Sequence, residues 1–248
     1  FESPEVADAV DRLSGSRTLF VFDIDNTVLE NPDGQFLGSA LWYDWQSDLP
    51  DTDSRKLNCL LQFQGAAYLM GHMQATEGGL SVSFIAALQA AGQDVMALTA
   101  RGPDFRPATE RELKRAGIDF KKTMPQGFAG VSGRFKPDIS SAIPVPRDAS
   151  YQNGIAMLAG QHKGAALVDL LTRIGAGSAY DVIVFFDDDS KNTNAMLEVF
   201  SEDPRGAMIF RYTGVESDLS QVDLAKAVRG QEAIAAAYGH FSRNQTCD

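Results

Sequence analysis

The chain has 248 residues, of which 44% are hydrophobic and 22% charged, the balance of an ordinary globular protein. Its 22 basic and 33 acidic side chains give a formal net charge of −11 at pH 7, so the chain as a whole repels phosphate backbones and anionic lipid. These values argue against a nucleic-acid scaffold and against electrostatic docking on a membrane. The longest apolar runs, such as 182–186 and 233–238, are too short to span a bilayer.

The cysteines and the first residues bear on the cellular compartment. Cys59 and Cys247 allow one intrachain disulfide at most, and their separation has no zinc-binding or redox-motif spacing. The chain starts at Phe1 with an acidic segment, as expected of a mature periplasmic or secreted protein whose signal peptide has been removed. A trimmed cytoplasmic chain has the same features. The compartment and the pairing of the two cysteines therefore stay open from the sequence.

Buried strands and amphipathic helices alternate along the chain. A short helix is predicted over 5–13, and the apolar run Thr18–Phe22 predicts a strand buried on both faces. Further along, similar strands are predicted over 95–98 and 182–186, and helices followed by glycine over 81–91, 106–116 and 163–174. This alternation predicts an α/β fold with a doubly wound parallel sheet.

Two segments interrupt the alternation. Residues 31–76 contain the aromatic cluster Trp42, Tyr43 and Trp45 and a helix-like stretch over 57–73, which we interpret as a small helical cap inserted into an α/β core formed by 1–30 and 77–248. Residues 120–160 are rich in glycine and proline and predict irregular chain with a hairpin around Asn153–Gly154.

Polar side chains follow the predicted strands at the edge where open α/β sheets bind their ligands. They are of four kinds: a first acidic pair, a hydroxyl followed by an arginine, a lysine, and a second acidic group. In chain order these residues are Asp23 and Asp25, then Thr99 and Arg101, then Lys163, and finally Asp187, Asp188, Asp189 and Asn192.

This set of side chains predicts magnesium-assisted phosphoryl transfer. Several carboxylates at one sheet edge repel one another, and Mg²⁺, which prefers oxygen ligands, removes that cost. Asp23 is placed to attack phosphorus and form an aspartyl-phosphate, and Asp25 to protonate the leaving oxygen and then deprotonate the attacking water. Thr99 and Lys163 supply a hydroxyl donor and a positive charge for the transferring oxygens.

The order of these segments resembles the haloacid-dehalogenase superfamily, and the stretch V-F-D-I-D-N-T-V-L is similar to its first motif. The resemblance covers the core strands and helices and implies a Rossmann-like fold and an Mg²⁺-dependent phosphatase. It implies Asp23 as the nucleophile, Asp25 as the acid/base, and Thr99 and Lys163 as phosphate contacts. Asp188 is favoured as a metal ligand, although Asp189 blurs the register by one residue. The full set of metal ligands implied is Asp23, Asp25, Asp187, Asp188 and Asn192.

A narrower resemblance concerns the second segment. Thr99-Ala100-Arg101 is similar to the hydroxyl-x-Arg segment of the secreted class B and class C acid phosphatases, which implies that Arg101 binds the substrate phosphate. The lead-in to the helical insert also resembles an uncharacterised bacterial family of the same superfamily, which implies no substrate. A small phosphorylated molecule or a phosphoprotein is expected as substrate, and the oligomeric state is not predicted.

Several alternatives stay open from the sequence alone. The second acidic group could cap a helix, Thr99 could cap another, and Lys163 could be solvated. At least one of the three clustered aromatics is expected to face the mouth of the site, the alternative being core packing. The rival functions are a phosphotransferase, a phosphonate-type hydrolase or a catalytically silent binding protein on the same core. A phospho-acceptor receiver module fits less well, because its acidic segments precede its threonine and lysine.

Overall fold

The structure, a computed structural model, describes residues 13, 15–32, 35–125, 133–139, 145–215 and 222–238. Within these residues the chain forms a mixed α/β fold around a seven-stranded, mostly parallel sheet. The α/β class predicted from the sequence is thereby confirmed. The helix predicted over 5–13 falls, apart from Leu13, outside the described residues.

The predicted core elements are present, with ends that move by about one residue. The strands are β1 (Thr18–Phe22), β2 (Leu29–Glu30), β3 (Gln74–Ala75), β4 (Asp94–Thr99), β5 (Gly133–Phe135), β6 (Ala149–Gln152), β7 (Ile155–Met157), β8 (Val182–Asp187) and β9 (Gly206–Arg211). The helices are α1 (Ala40–Asp48), α2 (Leu60–Met70), α3 (Leu80–Ala90), α4 (Arg106–Ala116), α5 (Lys163–Arg173), α6 (Ser190–Phe200) and α7 (Leu224–Tyr238). The hairpin predicted around Asn153–Gly154 joins β6 to β7, and both turn residues have positive φ.

The order of the strands along the chain reverses at one position in the sheet. The sheet runs β5-β6-β7-β4-β1-β8-β9, and its five strands from β7 to β9 are parallel. Numbered along the chain, those five strands lie in the spatial order 3-2-1-4-5, the order of a doubly wound sheet. The strand order reverses beside β1, so the carboxyl ends of β1 and β8 form the crevice in which such sheets bind ligands.

Side chains of β1 alternate between two hydrophobic cores, one on each face of the sheet. Leu19 and Val21 belong to the core that also contains side chains of α5 and α6. Phe20 and Phe22 belong to the core beneath α3 and α4. Because both faces are covered by helices, every residue of β1 is buried, and a carboxylate that follows this strand enters a poorly hydrated environment.

The insert, residues 31–76, carries α1 and α2 and is flanked at its base by the antiparallel pair β2 and β3. Its centre is a separate apolar cluster of Trp42, Trp45, Leu49 and Phe63. Helix α7 supplies Leu224, Val228 and Ile234 to this cluster. The helical unit is therefore built from two separate segments of the chain, although α7 belongs to the segment that the sequence analysis assigned to the core.

Two of the three aromatic residues of α1, Trp42 and Trp45, pack inward, so of the three only Tyr43 is left for the expectation that one of them faces the mouth of the site. Trp42 is 0% exposed and Trp45 is 7% exposed, and Tyr43 packs half-buried against the same cluster. The Trp42 Nε1–H donates to Gln231 Oε1 of α7 at 3.0 Å. The physical reason is α7, which supplies a second apolar surface for α1 that the sequence pattern did not indicate.

Two further observations concern the compartment and the membrane. Cys59, at the start of α2, is disulfide-bonded, and Cys247, the second cysteine of the sequence, lies outside the described residues. None of the helices in the described ranges combines the length and the apolar character that crossing a bilayer requires.

Candidate active site

The loop after β1 is fixed by backbone hydrogen bonds on both sides. The Asp23 N–H donates to the Phe186 carbonyl of the neighbouring strand at 2.9 Å, which extends the strand pairing by one residue. Asn26 has a φ of 54°, a left-handed conformation that asparagine tolerates better than most residues. Its N–H donates to the Leu29 carbonyl at 2.8 Å and turns the chain back toward β2. The two carboxylates of this loop, Asp23 and Asp25, therefore have defined positions.

Lys163 joins the first and last predicted motifs. Its Nζ donates to Asp23 Oδ1 at 2.5 Å and to Asp187 Oδ2 at 2.6 Å, and the lysine is 0% exposed. It is the first residue of α5, whose N-terminus is capped by the Nδ1 of His162, which accepts from the Ala165 N–H at 3.2 Å. The start of α5 thus points the ammonium group between the ends of β1 and β8, and a solvated role for Lys163 does not fit the structure.

Three carboxylates around this lysine can share a metal ion. One oxygen atom each from Asp23, Asp187 and Asp188 lies within 4.8 Å of the others. We call these three residues together with Lys163 the Lys163 cluster. Asp188 is held by the loop after β1, because its N–H donates to Thr27 Oγ1 at 3.1 Å and its Oδ2 accepts from Asn26 Nδ2 at 3.2 Å.

The remaining residues of the last motif orient this cluster. The Asn192 amide donates to Asp187 Oδ1 at 3.0 Å, and the Asp189 N–H donates to the same oxygen at 2.9 Å. The Asp189 side chain caps α6, because its Oδ1 accepts from the Lys191 N–H at 2.8 Å. The sequence left open which of three consecutive aspartates belong to the cluster. Asp187 and Asp188 lie in it, and Asp189 lies at the start of α6.

Burial and repulsion from neighbouring carboxylates raise the pKa values of Asp23 and Asp188. Burial is the main reason that the pKa of Asp23 lies well above its ordinary value; Lys163 opposes this, and the charges of Asp187 and Asp188 add to it. Burial, reinforced by Asp187, raises the pKa of Asp188 to about 6. Burial would lower the pKa of Lys163, but Asp23 and Asp187 outweigh it and raise that pKa above its ordinary value. The lysine is therefore charged, and the carboxylates around it are short of positive charge.

Asp25 lies outside this group of three and has a different partner. Its Oδ2 accepts from Arg101 Nε at 2.8 Å and its Oδ1 accepts from Arg101 Nη2 at 2.7 Å, a bidentate ion pair. The side chain of Arg101 is 1% exposed, whereas that of Asp25 is 25% exposed. Arg101 was expected from the family resemblance to bind substrate phosphate, and the structure places its guanidinium on Asp25.

Thr99 is the last residue of β4 and precedes Arg101 by two residues. It is 0% exposed, and its Oγ1 accepts from the Arg101 N–H at 3.1 Å. A hydroxyl that accepts one hydrogen bond can still donate its own proton. Thr99 therefore shapes the turn after β4 while keeping the donor function that was predicted for it.

The sequence analysis missed the residues that support these groups. They are Asn26 and Thr27 beside Asp188, Thr109 and Met73, which contact Arg101, and Tyr68, whose ring faces the same guanidinium. Asn26 and Thr27 follow Asp25 directly in the sequence, so their place in the motif was the available signal. The other three lie on α4 and at the end of the insert, and no local pattern distinguishes them.

The fold and the site define an α/β protein with a buried cluster of carboxylates and one lysine at the crevice of its parallel sheet. The chain belongs to the family described as "Protein of unknown function (DUF2608)", whose model matches residues 3–243. No curated protein matches the chain. Among solved structures, one described as DsGPDH of Dunaliella salina is similar at 14% identity over 81% of this chain, with a TM-score of 0.33. The chain spans 24% of that protein, and so slight a similarity bears on neither mechanism nor substrate.

Proposed function

We propose that the protein is a Mg²⁺-dependent phosphatase of the haloacid-dehalogenase type, which hydrolyses phosphate monoesters through an aspartyl-phosphate on Asp23. The observation that carries the proposal is the Lys163 cluster, in which the lysine bridges Asp23 and Asp187 beside Asp188. The order of the four motifs along the chain supports it, and so does the doubly wound order of the strands.

The proposed reaction has two balanced steps. In the first, a carboxylate oxygen of Asp23 attacks phosphorus, the bond from phosphorus to the ester oxygen breaks, and Asp25 gives its proton to the departing alcohol. In the second, a water oxygen attacks phosphorus, Asp25 takes the proton of that water, and the bond to Asp23 breaks to release inorganic phosphate. Asp25 returns to its protonated form and Asp23 to its carboxylate.

The donor set of the cluster fits a hard divalent cation. Asp23, Asp187 and Asp188 carry three negative charges when ionised and Lys163 carries one positive charge, which leaves two negative charges. All donors are oxygens, as Mg²⁺ prefers. When bound, the ion would neutralise charge on the transferring phosphoryl group. Two further residues were expected as metal ligands. The side chain of Asp25 contacts Arg101, and that of Asn192 contacts Asp187.

The chain's own cation and hydroxyl have distinct tasks in this proposal. Lys163 orients the attacking carboxylate of Asp23 and places a positive charge beside it. Thr99 donates its hydroxyl proton to a phosphoryl oxygen, where charge accumulates during transfer. In this proposal the insert, on which α7 packs, would act as a cap that excludes water from the site. A small phosphorylated molecule or a phosphorylated side chain would enter beneath this cap.

Hydrolysis of an aryl phosphate with added Mg²⁺ tests the proposal directly. We expect turnover that stops on chelation with EDTA and returns with excess Mg²⁺, and Asp23→Asn should lower kcat by at least about 10³-fold, as expected for loss of a covalent nucleophile. Asp189→Asn is the matched control, since asparagine caps α6 as well as aspartate does. Full activity after exhaustive chelation, or in Asp23→Asn, would overturn the assignment.

The two steps can be separated with Asp25→Asn. An activated aryl ester needs little protonation of its leaving group, so this variant should still phosphorylate Asp23 and then stall for want of a base. A burst of the phenol followed by slow turnover is expected in rapid-mixing measurements. Equal loss of both phases would contradict the assignment of Asp25. Beryllium fluoride binding, which should vanish in Asp23→Asn, reports the phosphoryl position without turnover.

A phosphotransferase differs from a phosphatase only in the acceptor of the second step. Adding an alcohol acceptor to the same assay and measuring the ratio of phenol to inorganic phosphate distinguishes the two. A ratio that stays at one supports hydrolysis. A catalytically silent binding protein would bind phosphate or beryllium fluoride and give no phenol.

A further inference from the structure

The buried guanidinium group of Arg101 directs four of its hydrogen-bond donors at side chains of this protein. It makes two hydrogen bonds to Asp25, one to Thr109 Oγ1 at 3.0 Å and one to the sulfur of Met73. The ring of Tyr68 lies over it, with the guanidinium carbon 4.1 Å from the ring centroid. We call Thr109, Tyr68 and Met73 the Arg101 cage.

This enclosure leaves little of the arginine for a ligand. A guanidinium has five N–H donors in one plane, and four hydrogen bonds of Arg101 go to other side chains of this protein. A phosphate bound in its plane would have to displace the bidentate carboxylate of Asp25. The face of the plane covered by Tyr68 offers no N–H donor.

We propose that Arg101 is a positioning residue for Asp25 rather than a ligand of the substrate phosphate, and that the insert completes this arrangement through Tyr68 and Met73. The inference rests on the proposed function, because it concerns the residue assigned there as acid and base. It assigns a role to two residues of the insert that contact neither the metal-binding carboxylates nor the attacking oxygen.

Arg101 fixes the direction of the Asp25 carboxylate. The Asp25 side chain is 25% exposed, so without a partner it would sample several rotamers in a loop. Two parallel hydrogen bonds from a buried arginine hold the plane of the carboxylate in one orientation. Proton transfer requires such a fixed geometry, because the acid must lie within hydrogen-bond reach of the leaving oxygen.

The insert and helix α4 hold the cage in place. Arg111 of α4 donates to the Leu69 carbonyl at 2.9 Å and to the Tyr68 carbonyl at 2.7 Å. The buried Glu112 accepts from the Met73 N–H at 3.0 Å. Thr109, the third member of the cage, lies on the same helix. The segment from Tyr68 to Met73 is thus fastened to the helix that also contacts Arg101, and a change in the insert reaches Asp25 through it.

The dependence of rate on the leaving group separates the two roles of Arg101. The value of kcat/KM is measured for 4-nitrophenyl, phenyl and alkyl phosphates in the wild-type protein and in Arg101→Lys, together with the inhibition constant of inorganic phosphate. Lysine keeps the positive charge and loses the bidentate geometry. A positioning role predicts a loss of about 100-fold for alkyl phosphates, the lower range for general acid catalysis, with a loss of about threefold or less for 4-nitrophenyl phosphate.

The inhibition constant of inorganic phosphate distinguishes a positioning role of Arg101 from phosphate binding. If Arg101 positions Asp25, that constant should change by less than about twofold. An increase of about tenfold or more, with equal losses for all leaving groups, would show that Arg101 binds the phosphate and would overturn the inference. Wild-type protein without turnover on any ester would defeat the proposed function itself, whereas an active wild type with a leaving-group dependence unchanged in Arg101→Lys would defeat this inference alone.

Two further variants keep the test informative if Arg101→Lys folds poorly. Tyr68→Leu removes the aromatic ring over the guanidinium, and we expect a loss of about fivefold for alkyl phosphates with little change for the activated ester. The matched control is Arg106→Lys, because Arg106 is a largely buried arginine of α4 that binds Ser150 and the Ile155 carbonyl instead of Asp25. Its substitution should lower stability without changing the leaving-group dependence. If the dependence of rate on the leaving group were the same in Tyr68→Leu as in Arg106→Lys, the part of the inference that concerns the insert would be contradicted.

Discussion

Two buried cationic side chains, Lys163 and Arg101, lie at the same edge of the sheet and face different numbers of carboxylates. Lys163 contacts Asp23 and Asp187, and Asp188 completes the group, so one ammonium faces three carboxylates. Arg101 faces the single carboxylate of Asp25 through two hydrogen bonds. When its carboxyls are ionised, the first group carries two uncompensated negative charges, whereas in the second group Arg101 balances the charge of an ionised Asp25.

This difference assigns different chemistry to neighbouring residues of one loop. Asp23 and Asp25 are separated by a single residue, yet only Asp23 belongs to the group that can share a metal ion. A hard cation gains most where negative charge exceeds positive charge, and little where an arginine already satisfies the carboxylate. Under the proposed function, the first group would hold a cation and the attacking oxygen, and the second would hold the carboxyl of Asp25 in place.

The largest expected effect comes from removing the lysine of the first group. Lys163→Met leaves the buried carboxylates of Asp23 and Asp187 without their cation, and breaking such a pair costs about 3–5 kcal/mol of stability. We expect that loss in the free energy of unfolding in denaturant without Mg²⁺ at pH 7, and a fall in kcat of at least about 10³-fold.

Lys191→Met is the control for this variant, because Lys191 is an exposed lysine near the start of α6. Its substitution should change stability by less than about 0.5 kcal/mol. If Lys163→Met were no less stable than Lys191→Met, the ion pairs of the first group would contribute nothing to stability. The carboxylates of that group would then not need the positive charge of Lys163.

The first group could be predicted from the sequence because the topology of the sheet determines it. Buried runs such as 18–22 and 182–186 predict parallel strands, and the carboxyl ends of parallel strands meet at one edge. Asp23 and Asp187 follow directly from that rule, and Lys163 from its position at the start of a helix. Each of these residues is next to an element whose hydrophobic pattern is unambiguous.

The surroundings of the second group could not be predicted, because they depend on contacts between distant segments. Tyr68 and Met73 reach Arg101 from the end of the insert, which Arg111 and Glu112 fasten to α4. The inward packing of Trp42 likewise depends on α7, about 190 residues further along the chain. Hydrophobic periodicity describes one element at a time and carries no information about such pairings.

The second prediction tests whether the insert is structurally separate from the first group. Trp42→Ala removes a fully buried indole at the contact of α1 and α7, and such truncations cost about 3–5 kcal/mol. We expect a lower melting temperature, with the Mg²⁺ affinity of the native protein unchanged within about twofold, since Trp42 contacts none of the clustered carboxylates. Calorimetric titration with Mg²⁺ below the transition measures this. A tenfold weaker affinity would show that the insert shapes the first group as well.

The third prediction concerns Thr99, whose hydroxyl oxygen contacts the second group at the backbone N–H of Arg101. Thr99→Val removes the hydroxyl that accepts from the Arg101 N–H, and we expect kcat/KM to fall by about 10²-fold, the size of one lost donor to a phosphoryl oxygen. The loss should be equal for aryl and alkyl phosphates, unlike that of Arg101→Lys. Thr99→Ser, which keeps the hydroxyl, should retain most of the activity. A loss confined to alkyl phosphates would move Thr99 into the group that positions Asp25.

The smallest predicted effect is a pH dependence of the first group. The pKa of Asp188 in the metal-free protein is about 6, above its ordinary value of 3.8, mainly because of burial. A carboxyl whose pKa is raised on folding binds its proton more tightly in the folded state, so its contribution to stability is present below about pH 4 and is lost as the pH rises toward 6. A divalent cation binds the deprotonated form, so Mg²⁺ should raise the melting temperature by several degrees more at pH 7.5 than at pH 5. In Asp188→Asn this difference should shrink to less than half of the wild-type value, whereas Asp189→Asn, at the helix start, should retain it. An equal effect of Mg²⁺ at both pH values in the wild-type protein would show that Asp188 does not hold the ion.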